Sequence, residues 1–183
     1  MKLIQEIDDR DVLGQAIPEE EVSFYVRKAA RAILFNANNQ IALLYVGKYQ
    51  YHKLPGGGVE SGEDIQAALK RELREEVGSE AIPIREIGLT IEYRYEYKQL
   101  QLSYAYVAIC EGEQIEPSYT EEELQNGFEL KWVSVQEAAK LLAQDQPASY
   151  VGKFIRKRDL AIITSYLAEE ARDIDQSGSM IHY

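Results

Sequence analysis

The sequence predicts an α/β (α+β) fold, a mixed β-sheet flanked by helices. Three observations lead there: β-rich runs recur along most of the chain, one strongly patterned helix interrupts them early, and two helical segments follow the last run. Residues 1–22 are polar and acidic, closing on Pro18-Glu19-Glu20-Glu21; strand, arm and partner-binding segment all fit them. From Tyr25 the β signals begin. Ala29 to Phe35, the polar link Asn36 to Gln40, and Ile41 to Val46 read as a hairpin. A loop over Lys53 to Gly58 leads into the patterned helix. Ile84 to Tyr97 and Gln101 to Cys110 read as strands. In the first, Tyr93, Tyr95 and Tyr97 alternate against Arg94, Glu96 and Lys98, which points the tyrosines to the core or to a dimer surface. Glu129 to Val133 reads as a further strand, Gln136 to Ala143 and Lys153 to Ala171 as helices. These elements divide the chain into an arm (1–22), a domain (23–172) and a flexible tail (173–183).

Composition excludes several classes. The chain has 183 residues, enough for one domain with a real core, and 45% of them are hydrophobic. No apolar run is long enough to span a membrane. The opening MKLIQEIDDRD places acids where a signal peptide needs an apolar stretch, so the cytoplasm is expected. One cysteine, Cys110, forbids an internal disulfide and fits a reducing compartment; its strand-like context suggests a buried thiol. A net charge of −11 argues against general nucleic-acid binding.

The helix after the glycine turn carries the chemistry. At ~100° per residue, Ile65, Ala68 and Leu69 form an apolar stripe, and Glu72, Glu75 and Glu76 continue it. Lys70 and Arg74 point to the other side. An isolated buried carboxylate is very costly. Carboxylates converging on one face call for a cation, and hard oxygen donors suit Mg²⁺ or Mn²⁺. No Lys or Arg is expected on that face to offset them. Leu54-Pro55-Gly56-Gly57-Gly58 forms a rigid, then permissive turn. Ser61 and Asp64 fit a capping box that starts the helix near Gly62, and Gly78 fits its C′ stop.

Gly57, five residues, Glu63, seven residues, then Arg71-Glu72-Leu73-Arg74-Glu75-Glu76-Val77-Gly78 resembles the signature box of the Nudix hydrolases, which cleave nucleoside diphosphates linked to another group. Every charged and glycine position is filled. Ser79 departs from the bulky aliphatic residue usual after the last glycine; that position packs rather than reacts. The resemblance implies an α/β/α sandwich with the box as loop–helix–loop, and attack of water on a diphosphate phosphorus. It implies Glu72, Glu75 and Glu76 as side-chain metal ligands, the Gly56 carbonyl as a further ligand, Mg²⁺ as cofactor with Mn²⁺ as substitute, and Arg71 as the group orienting Glu72. Glu63 then supports the loop–helix geometry.

In many family members the general base is a loop acid outside the box. Tyr119-Thr120-Glu121-Glu122-Glu123 is the place to look, with Glu122 as the candidate, although acidic runs are commonly only solvated. Tyr49, Tyr51 and His52 precede the glycine turn, and Tyr51 and His52 are the candidate substrate contacts; many relatives carry Trp at the position of His52. Lys153, Arg156, Lys157 and Arg158 form the densest basic cluster, read as a solvated helix face or a hold on a distal phosphate. The expected partner is a small phosphorylated compound of nucleotide type; a homodimer is left open. Two other readings compete. A non-catalytic sensor of the same fold usually lacks one of the acids, and all are present here. A prenyl-diphosphate isomerase needs a catalytic cysteine near the site, for which Cys110 is poorly placed.

Overall fold

In the computed structural model, which describes residues 1–19 and 21–178 (side chains to 173), the backbone runs β1 (Leu3–Ile7), α1 (Asp9–Leu13), β2 (Tyr25–Phe35), β3 (Ile41–Val46), β4 (Tyr51–Lys53) and α2 (Ile65–Val77). It continues with β5 (Glu80–Arg94), β6 (Gln99–Glu111), α3 (Glu121–Gln125), β7 (Phe128–Val133), α4 (Val135–Gln144) and α5 (Tyr150–Gly178). The seven strands form one mixed sheet in the order β1-β5-β6-β2-β3-β4, with β7 on the free edge of β3. β1 and β5 are parallel, as are β2 and β6; the other pairs are antiparallel.

The period of two along β2 and β3 separates two cores. Ala30, Ala32, Leu34 and Ala42 pack under Leu69, Leu73 and Val77 of α2. Ile33, Ile41 and Leu43 face the other way, against Val135, Ala138 and Leu142 of α4 and Ile162 and Ile163 of α5. The result is the expected α/β/α layering, with α2 on one face and α4 and α5 on the other.

Several elements differ from the expectation. Residues 1–22 contain a strand and a short helix: β1 joins the sheet edge beside β5, and Asp8 caps α1 with a capping box completed by Asp11. The β2–β3 hairpin pairs only at Phe35 and Ile41; Asn36 Oδ1 accepts from the N–H groups of Asn38 and Gln40 to hold its turn. The α2 cap is Asp64, whose side chain accepts from Ala67 N, and not Ser61. Gly62 at φ 83° keeps Ser61 in a turn outside the helix. Gly78 does end it, left-handed at φ 68°. Tyr95–Tyr97 is a 3₁₀ turn. The inward side chains near the end of β5 are Glu92 and Arg94, while Tyr97 is exposed, so the tyrosines are not core. Cys110 is half-buried. α5 begins three residues before Lys153 and runs on to Gly178, through the start of the expected tail; residues 179–183 lie outside the described part. Among the described residues no helix is long and apolar enough to cross a membrane.

Candidate active site

The loop between β4 and α2 is held residue by residue. The carbonyls of Pro55 and Gly57 accept from Ala32 N and Ala30 N at 3.1 and 3.0 Å, laying the loop along β2. Leu54 N donates to Asp159 at 2.9 Å, Gly56 N to Glu76 at 2.6 Å, and Arg71 to the Gly58 carbonyl at 2.9 Å. Gly56 has φ 124°, and a Cβ there would overlap the Ala30 carbonyl. A Cβ at Gly57 would overlap the Glu72 carboxylate. The two glycines thus let the loop touch β2 on one side and a carboxylate on the other. The Gly56 carbonyl, the expected ligand, accepts no backbone bond among the described residues.

The three box acids occupy different environments. Side-chain exposure is 2% for Glu76, 14% for Glu72 and 43% for Glu75, so Glu75 lies at the solvent margin of the face rather than under it. Arg71 ties the group together. Its Nη1 donates to Glu72 at 2.9 Å and to Glu75 at 3.1 Å, while Nε and Nη2 grip both oxygens of Glu63 at 3.1 Å. This charge-assisted fork raises the Arg71 pKa and lowers that of Glu63. Glu76 receives Lys53 Nζ at 2.6 Å on one oxygen and the Gly56 N–H on the other. Burial nonetheless keeps its carboxyl above the ordinary range, against the pull of Lys53. The expectation that no cation faces these acids is therefore overturned: Arg71 and Lys53 both do.

The donors are hard oxygens, suited to a divalent cation, and Arg71 makes Glu72 and Glu75 converge. Among the described residues no three acids are gathered into a ready cluster, and Glu76 is engaged by Lys53. Glu72 and Glu75, both on Arg71 Nη1, present carboxylate oxygens of the kind such an ion takes.

Beside this group lies a cavity of about 280 Å³ lined by Tyr49, Tyr51, Lys53, Thr120, Glu122 and Phe128. It brings together two expected residues, Tyr51 and Glu122. Tyr51 is buried, which pushes its hydroxyl up to about 12. The acidic run is a short helix, α3, and no loop: Thr120 caps it and Glu123 closes the capping box. His52 goes elsewhere. Its ring sits against Tyr45, its Nδ1 lies 3.1 Å from Asp145, and its backbone N–H donates to the same carboxylate. The structure does not bring it to the cavity. The basic run on α5 splits as well: Arg156 bonds the Leu142 and Ala143 carbonyls at the end of α4, and Arg158 is fully buried. Lys53 was missed by sequence reasoning as a site residue. Its signal is the spacing Tyr51-x-Lys53, which places both side chains on one face of a strand directly before the glycine turn.

The NUDIX domain family matches residues 26–153. Among solved structures of similar fold are a NUDIX hydrolase from Nitrosomonas europaea, 17% identical with TM-score 0.61, covering 79% of this chain and 90% of that one; the E. coli ORF135 protein, 20% identical with TM-score 0.56, covering 82% and 94%; and a UDP-X diphosphatase, 17% identical with TM-score 0.54, covering 86% and 68%. No curated protein matches the chain by sequence. With the family covering most of the chain and the box residues assembled around the glycine loop, the chain belongs to the Nudix hydrolase family.

Proposed function

We propose that this Nudix pyrophosphohydrolase cleaves the diphosphate linkage of a nucleoside diphosphate derivative, or a similar small diphosphate, by attack of water on phosphorus. The observation that carries the reading is the Arg71-bridged pair Glu72 and Glu75 over the glycine loop, with Glu76 on the Gly56 N–H and the Tyr51–Glu122 cavity alongside. Glu72, Glu75, Glu76 and the Gly56 carbonyl are the proposed holders of Mg²⁺, with Mn²⁺ as substitute. When bound, such an ion neutralises diphosphate charge and lowers the pKa of water. Arg71 fixes the Glu72 carboxylate, so its orientation does not have to be found during the reaction. Lys53 faces the cavity and can turn its ammonium from Glu76 to a phosphate oxygen. Glu122 takes the proton of the attacking water as the new O–P bond forms; the bridging O–P bond breaks and the departing phosphate keeps its electron pair. The cytoplasm is the compartment that fits the single cysteine.

A product-resolved screen of ADP-ribose, dinucleoside polyphosphates, sugar nucleotides, oxidised nucleoside triphosphates and capped RNA ends, with Mg²⁺, with Mn²⁺ and with excess EDTA, tests this. Two phosphate-bearing products from one compound, formed only with a divalent ion, is the expected result. Full turnover in EDTA removes the mechanism, and tight binding without products replaces the enzyme by a sensor.

A further inference from the structure

The β5–β6 hairpin is patterned inside out. On the side that α5 covers it buries polar residues, Thr90 and Glu92 of β5 and Gln101 and Ser103 of β6. On the other side stand Leu89, Ile91 and Tyr93 of β5 and Leu100, Leu102 and Tyr104 of β6, all only half-buried. α2 lies over one end of this side, on Ala30, Ala32 and Leu34 of β2 and Tyr106 and Ala108 of β6, and reaches as far as Tyr104. The flanking strands extend the apolar surface: Leu3 of β1 is 53% exposed and Val26 of β2 56%. Phe24 packs edge-on against Tyr93 and Tyr95 at its rim. Apolar surface left in water forgoes the main driving force of folding, and a contiguous patch of this kind marks a docking surface.

The strand register shows what the surface fits. Residues paired across neighbouring strands share a face. Glu6 pairs with Ile91, Ile91 with Leu102, and Leu102 with Lys28, so one row across β1, β5, β6 and β2 reads acid, aliphatic, aliphatic, base. Leu3, Leu89 and Tyr104 form the row on one side of it, and Tyr93, Leu100 and Val26 the row on the other. Glu6 and Lys28 are both exposed. Burial, and after it the nearby Glu6 charge, push the Tyr93 hydroxyl pKa up, which places Glu6 beside this face. The central row is its own complement when turned end for end. A chain of net charge −11 repels another copy over most of its surface, so two copies meet best where charge cancels locally, as it does along this row. The same net charge disfavours an anionic lipid surface as the occupant.

We propose that this face is the interface of a symmetric homodimer, with the two hairpins packed sheet to sheet about a two-fold axis that runs parallel to the strands between β5 and β6. Such an axis exchanges β1 with β2. It sets Glu6 opposite Lys28 of the partner subunit, and Lys28 opposite Glu6 of the partner subunit. Ile91 and Leu102 fill the space between these two ion pairs, across the separation of about 10 Å usual for stacked sheets. The interface adjoins the glycine loop, since the Lys28 carbonyl accepts from Val59 N at 3.0 Å. The second copy therefore covers the strand on which that loop docks. None of this rests on the hydrolytic reading.

Sedimentation velocity of the full native chain, from micromolar to sub-millimolar concentration in physiological salt, tests the interface. The expected result is a concentration-dependent species of two-chain mass. Glu6→Lys and Lys28→Glu should each weaken the dimer about tenfold, because each sets like charges together at two places, and the double variant Glu6→Lys/Lys28→Glu should recover native affinity. Lys140→Glu, at an exposed position on α4 across the sheet, changes net charge as Lys28→Glu does and should leave association unchanged. Leu102→Glu should give a monomer, since it would bury a carboxylate between the sheets. The charge variants sit at exposed positions and report even if Leu102→Glu fails to fold. A native chain that stays monomeric throughout the range overturns the interface, as does native affinity in both single reversals or in folded Leu102→Glu. A double variant as weak as either single overturns the two-fold pairing of Glu6 with Lys28, and with it the proposed arrangement.

Discussion

Glu76 has two oxygens to satisfy in a place that water does not reach, and Lys53 and the Gly56 N–H take one each. This makes the residue structural as well as chemical. Glu76→Gln should lower kcat by about 10²–10⁴, the range for loss of a charge-stabilising or acid–base group. It should also cost about 1–3 kcal/mol of stability, because the Lys53 ammonium then lacks a counter-charge at a site with little solvent. Initial rates and urea midpoints measure the two effects; native kcat sinks the assignment, and unchanged stability sinks the pairing. Glu92 gives a pH signature. Burial alone would raise its pKa, but Arg158 and Arg94 hold the carboxyl below its ordinary value. The folded chain therefore resists protonating it more than the unfolded chain does. Its contribution is present above about pH 4.3 and is lost as pH falls through the lower folded value. The stability gap between native chain and Glu92→Gln should narrow between about pH 6 and pH 3. A gap that stays constant or widens on acidification contradicts the assignment.

α3 shows how a short element changes a prediction made from a run of acids. Glu123 is engaged by the N–H and hydroxyl of Thr120 at 2.8 and 2.9 Å, which leaves Glu122 as the acid free to act in the cavity. Glu122→Gln should lower kcat by about 10²–10⁴ with KM little changed. Glu121→Gln should be silent, and Glu123→Gln should cost about 1 kcal/mol through the cap without a selective effect on kcat. Steady-state kinetics of the three variants decide it; a silent Glu122→Gln returns the base to the box, with Glu72 first in line. The capping box Thr120-x-x-Glu123 was visible in the sequence as a helix start, yet a five-residue helix has too little periodicity to outweigh an acidic run. The box itself was legible because Gly56, Arg71 and the acids interact within a short stretch of chain. Lys53 and Asp159 were not, since each acquires its role from a partner 23 or 105 residues away. Likewise the tyrosine alternation after Glu92 was real as a pattern, but burial followed the salt bridge of Glu92 with Arg94 and Arg158 rather than the apolar rings.

At the scale of the whole molecule, the sheet joins distant parts of the chain. β2 lies between β3, its sequence neighbour, and β6, with which it pairs in parallel from Tyr25↔Gln99 to Phe35↔Ile109 at a constant offset of 74 residues. The glycine loop docks on β2 from nearby sequence, whereas the β6 edge of β2 must wait. Such non-local pairing places folding in the millisecond-to-second range, and it sets a single slow step for closure of the sheet. Trp132, on β7 opposite Ala42 of β3, is the one tryptophan, and it lies further in sequence from its partner strand than β6 does from β2; its fluorescence should therefore settle with the slowest phase seen by far-UV dichroism. Fluorescence that settles well before that phase would mean that β7 docks on β3 ahead of the β2–β6 pairing. On the ribosome the offset becomes a delay. At about 5–20 residues per second, roughly 4–15 s pass between emergence of β2 and emergence of its partner. Through that interval an eleven-residue strand ending in the apolar run Ala32-Ile33-Leu34-Phe35 carries an open edge, which makes nascent β2 a segment that a chaperone would shield.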